Sequence, residues 1–364
     1  MLYICFYFRY NKFHLNYGGT RMDNYTSYIL EQAQALLAID SPSGFTGKAV
    51  AYLAAEYEKL GYEPQITEKG GLFVELGGEG NPLLLTSHVD TLGAMVAQIK
   101  DNGRIRITPV GGLNANNTET ENCRLYTFDE RVYTGTLQLE NASIHVNGDY
   151  NGTSRTFDTL ELLLDEPVSS KEEVQSLGIM NGNYVCVDPR TVITSSGYIK
   201  SRFLDDKLST AIILGYAKYL KEEKIIPERK VYLHVTVFEE VGHGGAGSIP
   251  SDVTEILSLD MGCVGNGLDC TERQVSICVK DSSGPSNYTT VCGLVDAAKK
   301  AGVDFATDVY PHYGSDADAA LRAGHDMRHG LIGPGVYASH GYERSHVDGV
   351  KSTLDLLISY TTNV

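Results

Sequence analysis

The 364-residue sequence contains no run of lysine or arginine, and its formal net charge is -16. Nucleic acid and anionic membrane surfaces would repel such a chain, so neither is expected as a partner. Cysteine is sparse and unpatterned. The seven cysteines, Cys5, Cys123, Cys186, Cys263, Cys270, Cys278 and Cys292, are odd in number and form no C-x-x-C pair. That usage argues against a disulfide framework and suits a reducing cytosol, so a cytoplasmic location is expected. A bilayer-spanning run is also missing. The aromatic opening MLYICFYFRYNKFHLNYGGTR is interrupted by Arg9 and Lys12, falls short of the roughly 20 apolar residues a span needs, and lacks the small-residue cleavage site of a secretory signal. Gly18-Gly19-Thr20-Arg21-Met22 can be encoded by a ribosome-binding site placed just before a start codon. Translation is therefore expected to begin at Met22, with residues 1–21 a doubtful extension.

What is present is an α/β pattern with an interruption. The length exceeds the usual ceiling for a single core, which predicts two domains. Apolar residues at helical spacing predict helices over 24–39 and 46–60, and short β-type runs follow at 62–68, 71–77 and 83–87. From Leu92 to Tyr198 the texture changes to alternating strands rich in Asn, Thr and Gly, with one short helix near 170–177. Helical periodicity returns at 206–219, and strands near 230–238, 255–260, 274–280 and 328–333 alternate with helices near 288–301, 316–323 and 350–360. The expected organisation is an α/β domain made of 22–91 and 199–364, with 92–198 an inserted β-rich domain.

Four apolar runs end in acid or imidazole. LLLTSHVDT ends in His88 and Asp90, VTVFEE in Glu239 and Glu240, and ILSLDMG in Asp260, while SRFLDDKLS puts Asp205 and Asp206 at a helix start. Ligands of open α/β sheets sit beyond the carboxyl ends of the strands, so these groups can converge. Convergence of so many acids is costly without cations to neutralise them, which points to a metal site. His, Asp and Glu without cysteine suit a hydrolytic zinc, cobalt or manganese centre. Strand alternation turns His88 and Asp90 to the same side, where the acid can hold the ring nitrogen that faces away from a metal. Of the paired glutamates, Glu239 is assigned as general base and Glu240 as ligand. Read singly, each motif has a plainer explanation: Asp205-Asp206 as a helix N-cap with a solvated neighbour, the glutamates as a solvated strand end.

The order SHVD, FLDDKLS, VFEEVGHGGAG, LSLDMG and YASHGYERSH resembles the tetrahedral aminopeptidases, which include glutamyl and deblocking aminopeptidases, from about Asp23 to the C-terminus. The resemblance implies two divalent ions, one held by His88, Asp205 and Asp260 and the other by Asp205, Glu240 and His340, with Asp90 orienting His88. It also implies a mixed-sheet peptidase domain with helices on both faces, an inserted β-barrel that mediates dimerisation, and dimers assembling into a dodecamer. The expected activity is removal of N-terminal residues from short peptides through a hydroxide shared by the metals, with Glu239 as base. Two positions depart from the pattern: Lys207 stands where many relatives carry arginine, and His340 is followed by Gly341-Tyr342-Glu343 in place of Ser-Pro. His346 is the rival ligand to His340. YGSDADA resembles a segment near the family's substrate pocket, so Ser315 and Asp316 are candidate substrate contacts, although a helix N-cap explains the pair equally well. Rival functions are an N-acyl amino-acid or dipeptide amidohydrolase with the same metals, a glycosidase using paired carboxylates, and a non-catalytic peptide-binding scaffold.

Overall fold

The computed structural model describes residues 21–362. Residues 1–20, the bulk of the segment expected to precede a start at Met22, lie outside them. Helical spacing of apolar side chains produces α1 (Arg21–Leu37), which buries Tyr25, Ile29, Ala33 and Leu36, and α2 (Gly47–Lys59), which buries Val50, Leu53 and Tyr57. β1 (Gln65–Ile66), β2 (Leu72–Gly77) and β3 (Leu83–His88) follow. Next come β4 (Gly93–Ile99), β5 (Ile105–Val110), β6 (Asn122–Tyr126), β7 (Val132–Leu139), β8 (Leu160–Leu164) and β9 (Tyr184–Val187), with α3 (Lys171–Ser176) between β8 and β9. These six strands pair antiparallel in the order β4-β5-β8-β7-β6-β9 and close into a barrel. Closure leaves no unpaired edge. Val96, Ile105, Leu125, Leu137, Leu162 and Val185, at alternating positions of its strands, are buried in a core continuous with the rest of the chain.

The α/β pattern then resumes with β10 (Val192–Ile193), β11 (Tyr198–Ser201), α4 (Leu204–Glu223), β12 (Val231–Thr236), β13 (Glu255–Leu259), β14 (Gly262–Val264) and β15 (Val275–Lys280). It finishes with α5 (Tyr288–Ala301), β16 (Phe305–Val309), α6 (Asp316–Arg322), β17 (Arg328–Tyr337), β18 (Glu343–His346) and α7 (Val347–Thr361). A 12-stranded mixed sheet results, with the main path β1-β2-β12-β3-β13-β17-β18-β11-β10 and with β14, β15 and β16 gathered around β17. The hairpin β10–β11 pairs with β18, so the end of the 92–198 segment belongs by hydrogen bonding to this sheet and not to the barrel. Alternation marks a strand but not the sheet it joins, and here a long-range partner, β18, decides.

The middle of the sheet is parallel: β12 and β13 flank β3, and β17 follows β13. Every residue of β3, β12 and β13 is buried, as expected for parallel strands covered on both faces. Leu83 and Leu85 enter the main core with α1, α4 and α7, whereas Leu84 packs with Tyr232, Ile256, Ala317 and Ala320 beneath α6. Helices thus cover both faces.

α1 and α4 pack tightly at Gly215, where a β-carbon would stand 2.3 Å from Ile29 Cγ1 and 2.6 Å from its Cδ1, with Ile29 fully buried. Gly215→Ala gains about 1 kcal/mol of helix propensity but overpacks a closed core, which costs about 1–3 kcal/mol. The substitution should therefore lower stability in a denaturant melt. A more stable variant would show that Ile29 can move aside.

Candidate metal centre

Parallel pairing brings four strand ends to one level. Thr236, the last residue of β12, pairs with His88, the last of β3, and Ser258 pairs with Thr86, which sets Asp260 beside His88. Glu239 and Glu240 leave β12 just past Thr236, and His340 lies just past β17. Asp205 enters from the first turn of α4, where the backbone departs from helical geometry at Asp205 and Asp206.

Two donor sets form around Asp205. His88 Nε2 lies 3.1 Å from Asp205 Oδ1 and 4.0 Å from Asp260 Oδ2. His340 Nε2 lies 3.6 Å from Asp205 Oδ2 and 3.6 Å from Glu240 Oε2. One atom from each of His88, Asp205 and Asp260 falls within 4.8 Å of the others, and so does one from each of Asp205, Glu240 and His340. The two oxygens of Asp205 therefore face different histidines, which is the placement a bridging carboxylate requires. Glu239 belongs to neither set; its Oε2 stands 3.7 Å from His88 Nε2.

The electrostatics fit divalent cations. Burial, aggravated by neighbouring acids, pushes Glu239 and Glu240 well above the usual carboxylate range and Asp260 up to about 7. Burial also opposes ionisation of Asp205, but His88 outweighs it and holds this carboxyl low. Burial disfavours a charged His88, yet the carboxylates of Asp205 and Asp90 reverse that and raise it well above an ordinary imidazole. Glu240 Oε1 is buried with no hydrogen-bond partner. A group of acids that resists ionisation and leaves an oxygen unpaired is one that a cation would stabilise. The oxygen and imidazole donors suit zinc, cobalt or manganese.

The remaining expected residues are placed as follows. The acceptor nearest His88 Nδ1 is the Asp90 backbone carbonyl, at 2.9 Å, while the Asp90 carboxylate is 3.5 Å away. That carboxylate accepts the backbone N–H groups of Glu239 at 3.2 Å and Glu240 at 3.3 Å, and the Ser43 hydroxyl at 2.5 Å. Asp90 thus positions the glutamate loop as well as the histidine. Asp316 is buried, accepts from the Thr236 hydroxyl at 2.7 Å and leaves Oδ1 unpaired, whereas Ser315 lines the cavity and closes a capping box with Asp318 at the start of α6. Both Asp205 and Asp206 are buried, so neither is a solvated neighbour, and because both have non-helical backbone geometry the regular helix begins only after them, at Lys207. His346 caps α7 and reaches the Ser196 carbonyl, away from both donor sets. Lys207 is buried against the carbonyls of Leu36 and Ile39, and burial lowers it to about 8. It therefore anchors the end of α1.

Glu343 was not anticipated. Its carboxylate accepts the backbone N–H of Asp205 and that of His340, each at 3.1 Å, tying the residue shared by the two donor sets to the last histidine. Both contacts are to backbone, which no side-chain motif announces. The centre opens onto a cavity of about 450 Å³, also walled by His312, Tyr313, Ser315, Ser339 and Arg322.

Residues 70–356 match the family described as M42 glutamyl aminopeptidase. The chain is 42% identical over 333 residues to the putative aminopeptidase YhfE of Bacillus subtilis (strain 168), covering 91% of this chain and 96% of that one. It is 27% identical to the glutamyl aminopeptidase of Lactococcus lactis subsp. cremoris over 60% of this chain and 61% of the relative. Its fold matches the TET1 peptidase of Pyrococcus horikoshii with a TM-score of 0.81 at 20% identity, covering 92% of this chain and 100% of that one. With a matching domain that spans most of its length and a near full-length relative above 40% identity, the chain belongs to the M42 glutamyl aminopeptidase family.

Proposed function

We propose that this chain removes the N-terminal residue of short peptides at a dinuclear metal centre, with His88, Asp205 and Asp260 holding one ion and Asp205, Glu240 and His340 the other. The observation that carries this reading is the sharing of Asp205 between two donor sets, with Glu239 left over beside them. When bound, the ions supply a Lewis acid for the scissile carbonyl and a water of lowered pKa. Zinc, cobalt and manganese all accept these ligands.

The chain's own residues do the rest. Glu239, half-buried and with its carboxyl raised by its surroundings, takes a proton from the attacking water through Oε2 and returns it to the leaving amine. Asp90 holds Glu239 and Glu240 by their backbone N–H groups, so base and ligand keep a fixed separation. The substrate's free α-amino group is cationic and suits a cavity walled by carboxylates, which favours cleavage at an N-terminus. Ser315, on the cavity wall, is a proposed substrate contact; Asp316, under the loop, supports that wall.

The TET1 peptidase of Pyrococcus horikoshii is described as assembling into a tetrahedron or a large octahedral shell. We assign this chain the same kind of homo-oligomer, up to a dodecamer, with the closed barrel as the dimerisation module. No helix among the described residues is long and apolar enough to cross a membrane; the cytoplasmic location proposed here rests on the sparse, unpatterned cysteines.

Three outcomes test the reading. Chelation should abolish cleavage of a peptide with a free N-terminus, and zinc, cobalt or manganese should restore it; cleavage of the N-acetylated peptide would transfer the function to an amidohydrolase. Glu239→Gln should lower kcat by roughly 10²–10⁴-fold with metal content near wild type, and retained turnover would remove Glu239 from the base role. Asp90→Ala should reduce metal affinity or kcat by about 10–100-fold, while Asp90→Asn, which keeps one acceptor, should fall between it and the wild type.

A further inference from the structure

The two histidines are held by different means. His88 has a side-chain exposure of 1%, and its Nδ1 faces the Asp90 carbonyl at 2.9 Å. His340 has a side-chain exposure of 43% and sits in the left-handed region at φ 61°, where a non-glycine residue persists only if its surroundings hold it. Among the described residues, nothing at its Nδ1 corresponds to the Asp90 carbonyl. What that side of the ring meets is Gly112: a β-carbon there would lie 2.6 Å from His340 Nδ1 and 2.9 Å from Cε1.

Gly112 belongs to the connection between barrel strands β5 and β6. The same connection touches the other half of the set. A β-carbon on Gly111 would lie 3.1 Å from the Glu240 carbonyl oxygen and 3.4 Å from Glu240 Cβ. Asn117 Nδ2 donates to the His340 carbonyl at 3.3 Å, and the Asn117 carbonyl accepts from the buried Arg202, which lies just before Asp205 in the chain. These contacts fall on Glu240 and His340, the two residues specific to the second set.

We propose that the inserted barrel domain positions the second donor set: Gly111 and Gly112, with Asn117, fix the His340 ring and the Glu240 backbone, and so set the affinity of that half of the centre for its cation. The inference rests on the dinuclear reading above and assigns a role to barrel residues beyond assembly. Gly112 is the informative position because its backbone does not require glycine by φ. The only obstacle to a side chain there is the ring itself.

The test is zinc binding by the full chain, measured by equilibrium dialysis against buffered zinc, together with a thermal melt and steady-state kinetics. Gly112→Ala should keep the first equivalent at wild-type affinity and weaken the second by about 10–100-fold, the range for residues that orient ligands, with a near wild-type melt. Asn117→Ala should weaken the same equivalent by a smaller factor, and it carries the test if Gly112→Ala fails to fold. His340→Ala should remove the second equivalent, and adding Gly112→Ala to it should change nothing further, because the effect is routed through that ring. Wild-type affinity at both sites in Gly112→Ala, equal weakening of both, or a full additional loss in the double variant would each overturn the inference. Failure of the underlying reading looks different. If the wild type binds no zinc, or His340→Ala retains both equivalents, the metal assignment falls and this inference with it; loss in His340→Ala without loss in Gly112→Ala sinks the inference alone.

Discussion

Negative charge gathered at the ends of buried parallel strands is the constraint on which the site depends. Asp205, Glu239 and Asp260 stand around His88 at the carboxyl edge of the sheet and Glu240 stands beside His340; burial opposes ionisation of Glu239, Glu240 and Asp260, while His88 holds Asp205 low. Charges of one sign in a low-dielectric setting push apart unless cations or hydrogen bonds hold them. The protein supplies part of that hold through backbone amides. Asp90 collects two from the glutamate loop, and Glu343 collects those of Asp205 and His340. Asp90 and Glu343, by accepting these amides, thus fix the path of the chain, and the acids that face the cavity keep oxygens that a cation could take.

Much of this was legible because strand ends and acids coincide in sequence. Apolar runs ending in His88, Asp260 and the two glutamates could be read directly, and parallel pairing brings those ends level. The helices expected near 288–301 and 316–323 were equally plain, and they form over Tyr288–Ala301 and Asp316–Arg322. Less visible was anything that depended on where the backbone turns. Alternation put the Asp90 side chain on the His88 side, yet the chain curls after β3 so that its carbonyl is the nearer partner and its carboxylate serves the glutamates. β14, β16 and β18 are short, and their pairing with distant strands outweighs weak local preference. The Asp205-Asp206 pair is an instance of the reverse: its plainer reading, a helix N-cap with a solvated neighbour, leaves one acid in water, yet both are buried and Asp206 leaves one oxygen unpaired.

Convergence also requires that backbones come closer than side chains normally allow. β17 runs beside both the end of β13 and the start of β14, and a β-carbon at Gly333 would stand 1.6 Å from the Asp260 carbonyl oxygen. No alanine fits there without moving the strand that delivers a ligand. Glycine at this position is therefore a packing requirement of the strand that carries Asp260.

The two donor sets consequently differ in how they are built. His88 and Asp260 stand at adjacent strand ends inside the sheet, so their separation is fixed by the ladder of hydrogen bonds between β3 and β13. Glu240 and His340 stand on loops, and a loop takes its position from what packs on it. Here the packing comes from the barrel connection at Gly111 and Gly112 and from Glu343 beneath. A centre placed inside a single rigid element would have one mechanical environment. Asp205 thus stands between a pair held by the strand ladder and a pair held on loops, and the loop-held pair packs against the connection between β5 and β6.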